Sequence, residues 1–176
     1  MGTPSLQHEI KKRRAFESAA EEAYLNVLRT AAVLEAPFDR LFRAHGLSEA
    51  TYNVLRILRG EKMSGNREGL ACQEIGARVI TRVPDMTRLL DRLEEAGLVA
   101  RERSSEDRRV VLCRVTEAGL KRIATLDEPL KELHQAQLKR MSGADLKRLS
   151  ELLTAARAAA SEFESRGMNR SEDDPV

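Results

Sequence analysis

The stretch RERSSEDRRVVLCRV, residues 101–115, reads as two short strands around a polar loop. Leu98–Arg103 and Arg109–Val115 are the strand-like runs, and Ser104, Ser105, Glu106, Asp107 and Arg108 lie between them. Five arginines crowd these residues. A hairpin so basic at its tip and edges is either a solvated ribbon or a surface made to meet an anion, and the residues before it bear on the choice.

Upstream, Gln73 to Val79 reads as a short helix, with Ile75 and Val79 four residues apart on its inner face and Arg78 outward. After a turn near ITRV, Pro84 marks the first turn of a second helix, where its missing N–H is no loss. Met86, Leu89, Leu90, Leu93 and Ala96 share one face of that helix, Asp85, Thr87, Arg88, Asp91 and Arg92 the other, and Gly97 ends it. Two short helices joined by a tight turn and followed by a hairpin make a winged helix-turn-helix, with the arginine-rich hairpin as the wing.

Longer helices flank this core. Ser18 to Glu21 (SAAE) is a capping-box pattern, followed by apolar residues at helical period from Tyr24 to Phe42 and a stop at Gly46, with a kink expected at Pro37. A helix after Ser48 turns Tyr52, Val54, Leu55 and Leu58 inward and ends near Gly60, before a polar loop. Thr116 caps a long helix carrying Leu120 to Leu138 and interrupted by Pro129; Ser142 and Asp145 open the last one. The fold class is thus mainly α with a small two- or three-stranded β wing, a winged helix-turn-helix plus a helical dimerisation region. Residues 1–17 are expected as a flexible basic arm, 18–47 and 117–165 as the dimerisation region, 48–116 as the DNA-binding domain and 166–176 as a disordered tail.

Composition narrows the function classes. Of 176 residues, 41% are hydrophobic and 33% charged, there is no Trp, and aromatic residues are too few to stack single-stranded bases. No apolar run approaches a membrane span, and the first residues lack the apolar core of a signal peptide, so a cytoplasmic protein without a membrane partner is expected. Cys72 and Cys113 are isolated, and His8, His45 and His134 have no ligand spacing, so neither a metal nor another cofactor is expected. A phosphate loop, a nucleophile elbow and facing carboxylates are all lacking, which speaks against an enzyme. The net charge is only +2, yet Arg78 to Arg114 contains nine arginines and no lysine, with seven acids among them. Placement matters more than the total.

A recognition helix enters the major groove with its N-terminal residues toward the base edges, which here nominates Arg82, Pro84, Asp85, Thr87 and Arg88. Arginine's planar fork matches guanine O6 and N7, while threonine suits a thymine methyl or a phosphate. Any one of these side chains, taken singly, is equally the solvated face of an amphipathic helix. At the wing, an arginine suits the negative potential of a narrow minor groove, and Asp107 is placed to hold a neighbouring guanidinium.

The segment ACQEIGARVITRVPDMTRLLDRLEEAGLVARERSSEDRRVVLCRVTEAGLKRI, residues 71–123, resembles the DNA-binding core of the multiple-antibiotic-resistance-regulator (MarR) family. The elements that carry the likeness are TRLLDRLEEAGLVAR, the wing signature SSEDRRVV, the VTEAGL that leads into the next helix, and HGLSEATYNVLRILRG upstream; it extends roughly from Ala23 to Leu153. The resemblance implies a homodimer whose first helix and last two helices interlock, for which Leu25, Leu28, Leu146, Leu149 and Leu153 are the candidates. It implies an Asp107-x-Arg109 wing pair with Arg109 directed at the minor groove and Arg108 in the variable middle position. It also implies release by a small aromatic or phenolic effector, for which Phe42, Tyr52 and Arg56 are candidates, core packing being the other account of the two rings. The departures are Cys72, where relatives often carry a hydroxyl cap, and Pro84, where many carry a hydroxyl residue. Some relatives sense oxidants through a cysteine at the start of the first long helix, and neither cysteine here lies there.

The expectation is therefore a homodimeric regulator, a repressor, that binds an inverted repeat in double-stranded DNA. The second reading is a winged-helix protein-interaction module without sequence-specific DNA binding, and preference for one duplex over a scrambled one separates the two.

Overall fold

The structure, a computed structural model, describes residues 5–66 and 68–171. In chain order the elements are α1 (Leu6–Glu9), α2 (Ala19–Ala44), α3 (Glu49–Met63), β1 (Leu70–Ala71), α4 (Cys72–Arg78), α5 (Met86–Glu95), β2 (Val99–Arg103), β3 (Val111–Val115), α6 (Glu117–Ala124), α7 (Asp127–Leu138) and α8 (Gly143–Ser171). The chain falls into two units, residues 1–133 and 134–176, and the division lies inside α7.

Short polar side chains set most helix starts by taking up a free backbone N–H of the first turn. Ser18 Oγ accepts from the Glu21 amide, and Ser48 forms a reciprocal capping box with Thr51. The Glu21 carboxylate, expected to close a box on Ser18, instead takes the Glu17 N–H at 2.6 Å. Thr116 caps α6 and donates its own hydroxyl to the Gly97 carbonyl at 2.7 Å, which ties the end of α5 to the start of α6. In the second unit, Ser142 and Asp145 bond reciprocally ahead of α8.

The sheet is antiparallel in the order β1-β3-β2, so β1 supplies the third strand and β3 is central. Cys113 on β3 is the Cα partner of both Leu70 and Arg101. Behind the sheet, Val54, Leu55 and Leu58 of α3, Ile75 of α4, Leu90 of α5 and Ile123 of α6 form one core with Leu126. Burying each such side chain stabilises by about 1.5–3 kcal/mol, whereas an exposed ion pair adds ~0–1 kcal/mol. Apolar burial therefore places the helices, and polar contacts trim their angles. Gly119 of VTEAGL is a packing requirement: a Cβ there would lie 2.3 Å from the Leu98 carbonyl oxygen.

Several expectations need correction. α3 continues past Gly60 to Met63, since a helix tolerates one glycine at a cost of about 1 kcal/mol. Pro84 precedes α5 rather than entering its first turn, because Asp85 is the N-cap. Ala96 is the C-cap of α5 and is exposed. The long helix after Thr116 is two helices, α6 and α7, which part at Thr125 and Leu126; Pro129 then sits in the first turn of α7, where its missing N–H costs nothing. α2 runs unbroken through Pro37.

The N-terminal residues are not a free arm. Leu6 is buried, Lys12 pairs with Glu21 at 3.4 Å, and Glu9 lies 3.7 Å from Arg29, so α1 is held against α2. Residues 1–4 lie outside the described residues. At the other end α8 runs into the expected tail as far as Ser171, and residues 172–176 lie outside the described residues.

Candidate nucleic-acid interface

The helix-turn-helix is α4, residues 79–85 and α5. α5 buries Leu89, Leu90 and Leu93 and leaves Thr87, Arg88 and Arg92 exposed on the opposite side, beside exposed Arg82 and Pro84 in the preceding turn. Asp85 was a candidate reader, and its carboxylate is instead engaged: Oδ1 accepts the Arg88 N–H at 2.9 Å and so begins the helix. Its site is still exposed, but its first task is structural. Cys72, in place of a hydroxyl cap, is the first residue of α4. The cap position is Ala71, whose N–H goes to Glu74 at 2.9 Å.

The wing is β2 and β3 with the loop 104–110. Ser104 Oγ accepts from the amides of Glu106 and Asp107, and the Ser104 N–H bonds the Val110 carbonyl at 2.9 Å. Asp107 Oδ1 accepts the Arg109 backbone N–H at 2.9 Å. This corrects the expected guanidinium pair: Asp107 bends the chain, an Asx-type turn, and the Arg109 side chain is exposed rather than clamped. Arg108 is exposed as well, and its carbonyl accepts from Arg103 Nη1 at 3.3 Å.

Pairing explains how a nearly neutral chain presents a basic face. Of the nine arginines between 78 and 114, Arg78 pairs with Glu61, Arg101 with Asp91 and Glu94, and Arg114 with Glu102. Among the described residues, Arg82, Arg88, Arg92, Arg103, Arg108 and Arg109 form no ion pair. Asp91, Glu94 and Glu102 are neutralised by arginines, while Asp85 and Asp107 take backbone amides. The acids that lower the net charge are thus largely engaged within the fold. The unpaired cations lie on the turn, on α5 and on the wing.

A family model described as MarR family matches residues 47–111. The HTH-type transcriptional repressor IacR of Pseudomonas putida is 32% identical over 127 residues, 66% of this chain and 75% of that protein. This chain belongs to the MarR family. A MarR transcription factor from Planctomyces limnophilus is 40% identical, with a TM-score of 0.59 over 80% of this chain and 99% of that one. MepR of S. aureus, solved with DNA, shares the fold at a TM-score of 0.66 and 19% identity, over 78% and 96% of the two chains. MarR proteins are DNA-binding transcription regulators, and these relatives are regulators rather than enzymes.

The other MarR-derived candidates fall as follows. On α2, Leu25 is half-buried and Leu28 is 49% exposed, next to the exposed Tyr24, Val27 and Val33. On α8, Leu146 and Leu153 are half-buried, and Leu149, Leu152 and Phe163 are exposed. At the effector candidates, the Phe42 ring is 4% exposed and stacks on Tyr52 with centroids 4.8 Å apart, with Phe38 beyond it at 6.4 Å. Phe42 is therefore a core ring. Arg56 Nη2 donates to the buried Asn53 at 3.2 Å. Burial raises the Tyr52 hydroxyl's pKa, while nearby Arg59 and Arg56 draw it down.

Two residues escaped the sequence reading. Arg59 binds both oxygens of Asp127, at 2.8 and 3.0 Å, across 68 residues of chain. Arg101 reaches back from β2 to α5. Neither is distinguishable by period or motif from an exposed arginine, since both depend on tertiary partners. Among the described residues no group of His, Cys, Asp and Glu could hold a metal ion, and no helix is long and apolar enough to cross a membrane.

Proposed function

We propose that this MarR-family regulator is a homodimeric repressor that reads an inverted repeat, with α5 in the major groove and Arg109 of the wing in the minor groove. The observation that carries the reading is the set of six arginines on the turn, α5 and the wing that form no ion pair among the described residues. Arg82, Pro84, Thr87 and Arg88 are the groove-facing residues, and Asp85 and Asp107 shape the backbone that presents them. The repressor assignment is supported by the name of the P. putida relative. Dimerisation is supported by apolar side chains open to solvent on α2 and, separately, on α8, since such stripes demand cover. Winged domains 48–116 would then stand with their recognition helices about one helical turn, ~34 Å, apart.

The low net charge and the acids between Arg78 and Arg114 favour the interaction-module reading, and the pairing of Asp91, Glu94 and Glu102 with arginines weakens it. An effector, an aromatic or phenolic acid, would meet the half-buried Tyr52 and Arg56 beside the Phe42 ring. Calorimetric titration with a panel of such acids is expected to show heat for at least one, and a silent panel removes the effector.

The deciding experiment is selection of fragmented genomic DNA on the purified protein at ~0.15 M salt, where phosphate-only binding is already weak. An enriched inverted repeat is expected. Equal recovery of all fragments by folded dimer, before and after bound ligand is stripped by unfolding and refolding, overturns the reading.

A further inference from the structure

We infer that Arg101 is a positioning residue for DNA reading: from β2 it fixes the recognition helix against the wing and touches no nucleic acid itself. The inference deepens the DNA-reading proposal and rests on it. Arg101 Nη1 lies 2.7 Å from Asp91 Oδ1, and Nη2 donates to the Thr87 carbonyl at 3.2 Å. Nε is 3.6 Å from Glu94 Oε2, too far for a hydrogen bond, and is buried without a hydrogen-bond partner among the described residues. Thr87, Asp91 and Glu94 follow one another at spacings of four and three, so the guanidinium spans two turns along one face of α5.

The Arg101 side chain is only 19% exposed, against 38% for Arg114 and 45% for Arg78 in their ion pairs. Its donors point at the helix rather than outward. An arginine suits this place because a planar fork reaches several acceptors at once, whereas the single ammonium of lysine does not. The shielding is on the guanidinium's side, since Asp91 and Glu94 themselves are 49% and 45% exposed. The rest of β2 is laddered onto β3, with Cys113 opposite Arg101. The apolar core that α5 and the sheet share brings them together, and this side chain is the polar link between wing and helix. Thr87, a groove candidate, has its carbonyl held by the same group. Two grooves can be engaged together only if α5 and the wing keep a set angle, and Arg101 is the polar contact that sets it.

The test compares wild type, Arg101→Met and Asp91→Asn, each checked by thermal unfolding. All are titrated, over a range of salt, with the duplex most enriched in the genomic selection and with its scrambled counterpart. Methionine keeps an apolar stem for packing; Asp91→Asn keeps the side chain's size, removes the charge that holds the guanidinium, and serves as the second variant should Arg101→Met fail to fold. The ratio of specific to scrambled affinity is expected to fall about tenfold, the size of one lost base contact, with the salt slope unchanged. A slope reduced by about 0.9 means that Arg101 itself holds a phosphate and overturns the inference. So does an equal loss on both duplexes, which is the signature of merely uncovering Asp91 and Glu94, and so does an unchanged ratio. Wild type without preference for the selected duplex removes the DNA-reading proposal and this one with it. A wild-type preference that survives in both variants removes this one alone.

Discussion

Under the proposed DNA reading, Arg88 and Arg109 contribute differently, and each has its own signature. Arg88 is exposed on α5 with its backbone N–H anchored by Asp85, so its guanidinium is free to meet a base. Arg88→Ala should cost ~1–3 kcal/mol of discrimination between the preferred duplex and single-base variants. An equal loss on every duplex would assign it to a phosphate. Arg109 stands on a turn built by Asp107, so Arg109→Ala should weaken binding while thermal unfolding stays unchanged; undiminished affinity removes the wing from the mechanism. The cysteines differ in burial. Cys113 is buried, which pushes its thiol's pKa up and disfavours the reactive thiolate, while Cys72 is half-exposed at the start of α4. Iodoacetamide should label Cys72 in the native protein and both residues after unfolding, as read by mass spectrometry. Residue identity was legible in the sequence at the wing, where Asp107 and Arg109 stand in a recognisable pattern. Their bond was not, because a carboxylate chooses between a backbone amide and a guanidinium by local geometry.

At the scale of elements, the caps are the most transferable part of the reading. Ser18, Ser48, Thr116 and Ser142 all sit where a polar side chain meets the start of a helix. Asp85 is the exception, since a sequence that nominates it for the groove leaves its capping role unseen. Asp85→Ala should cost about 0.5–2 kcal/mol of stability and Asp85→Asn little, because asparagine caps as well. Denaturant unfolding measures both, and a base-reading Asp85 would instead show altered sequence preference in the asparagine variant with no stability change in either. The division of the helix after Thr116 was misplaced by four residues in favour of Pro129. Proline signals a helix boundary on either side of itself, and only the packing of Ile123 and Leu126 into the core selects the upstream one. α1 was missed altogether: a four-residue helix has no period to detect, and it is held by Leu6 and by the ion pair of Glu9 with Arg29 of α2.

For the whole molecule, the proposed dimer rests on the exposed apolar side chains of α2, Tyr24, Val27, Leu28 and Val33. Leu28→Lys should shift the protein from dimer to monomer in analytical ultracentrifugation and weaken operator binding, while the core around Leu55, Ile75 and Ile123, which excludes Leu28, keeps it folded. A dimer that persists with unchanged affinity would place the interface elsewhere. By itself the sequence determined the order of the helix-turn-helix and wing, the caps Ser18, Ser48, Thr116 and Ser142, and the arginine richness of the proposed reading face, because period, cap chemistry and arginine placement are local properties of the chain. Only the tertiary structure decided which arginines are free and which are spent. Arg101 and Arg82 look alike in sequence, yet one faces Asp91 and Glu94 from the neighbouring strand and the other faces solvent. A charge acquires its function from the groups that surround it, and those are assembled by folding.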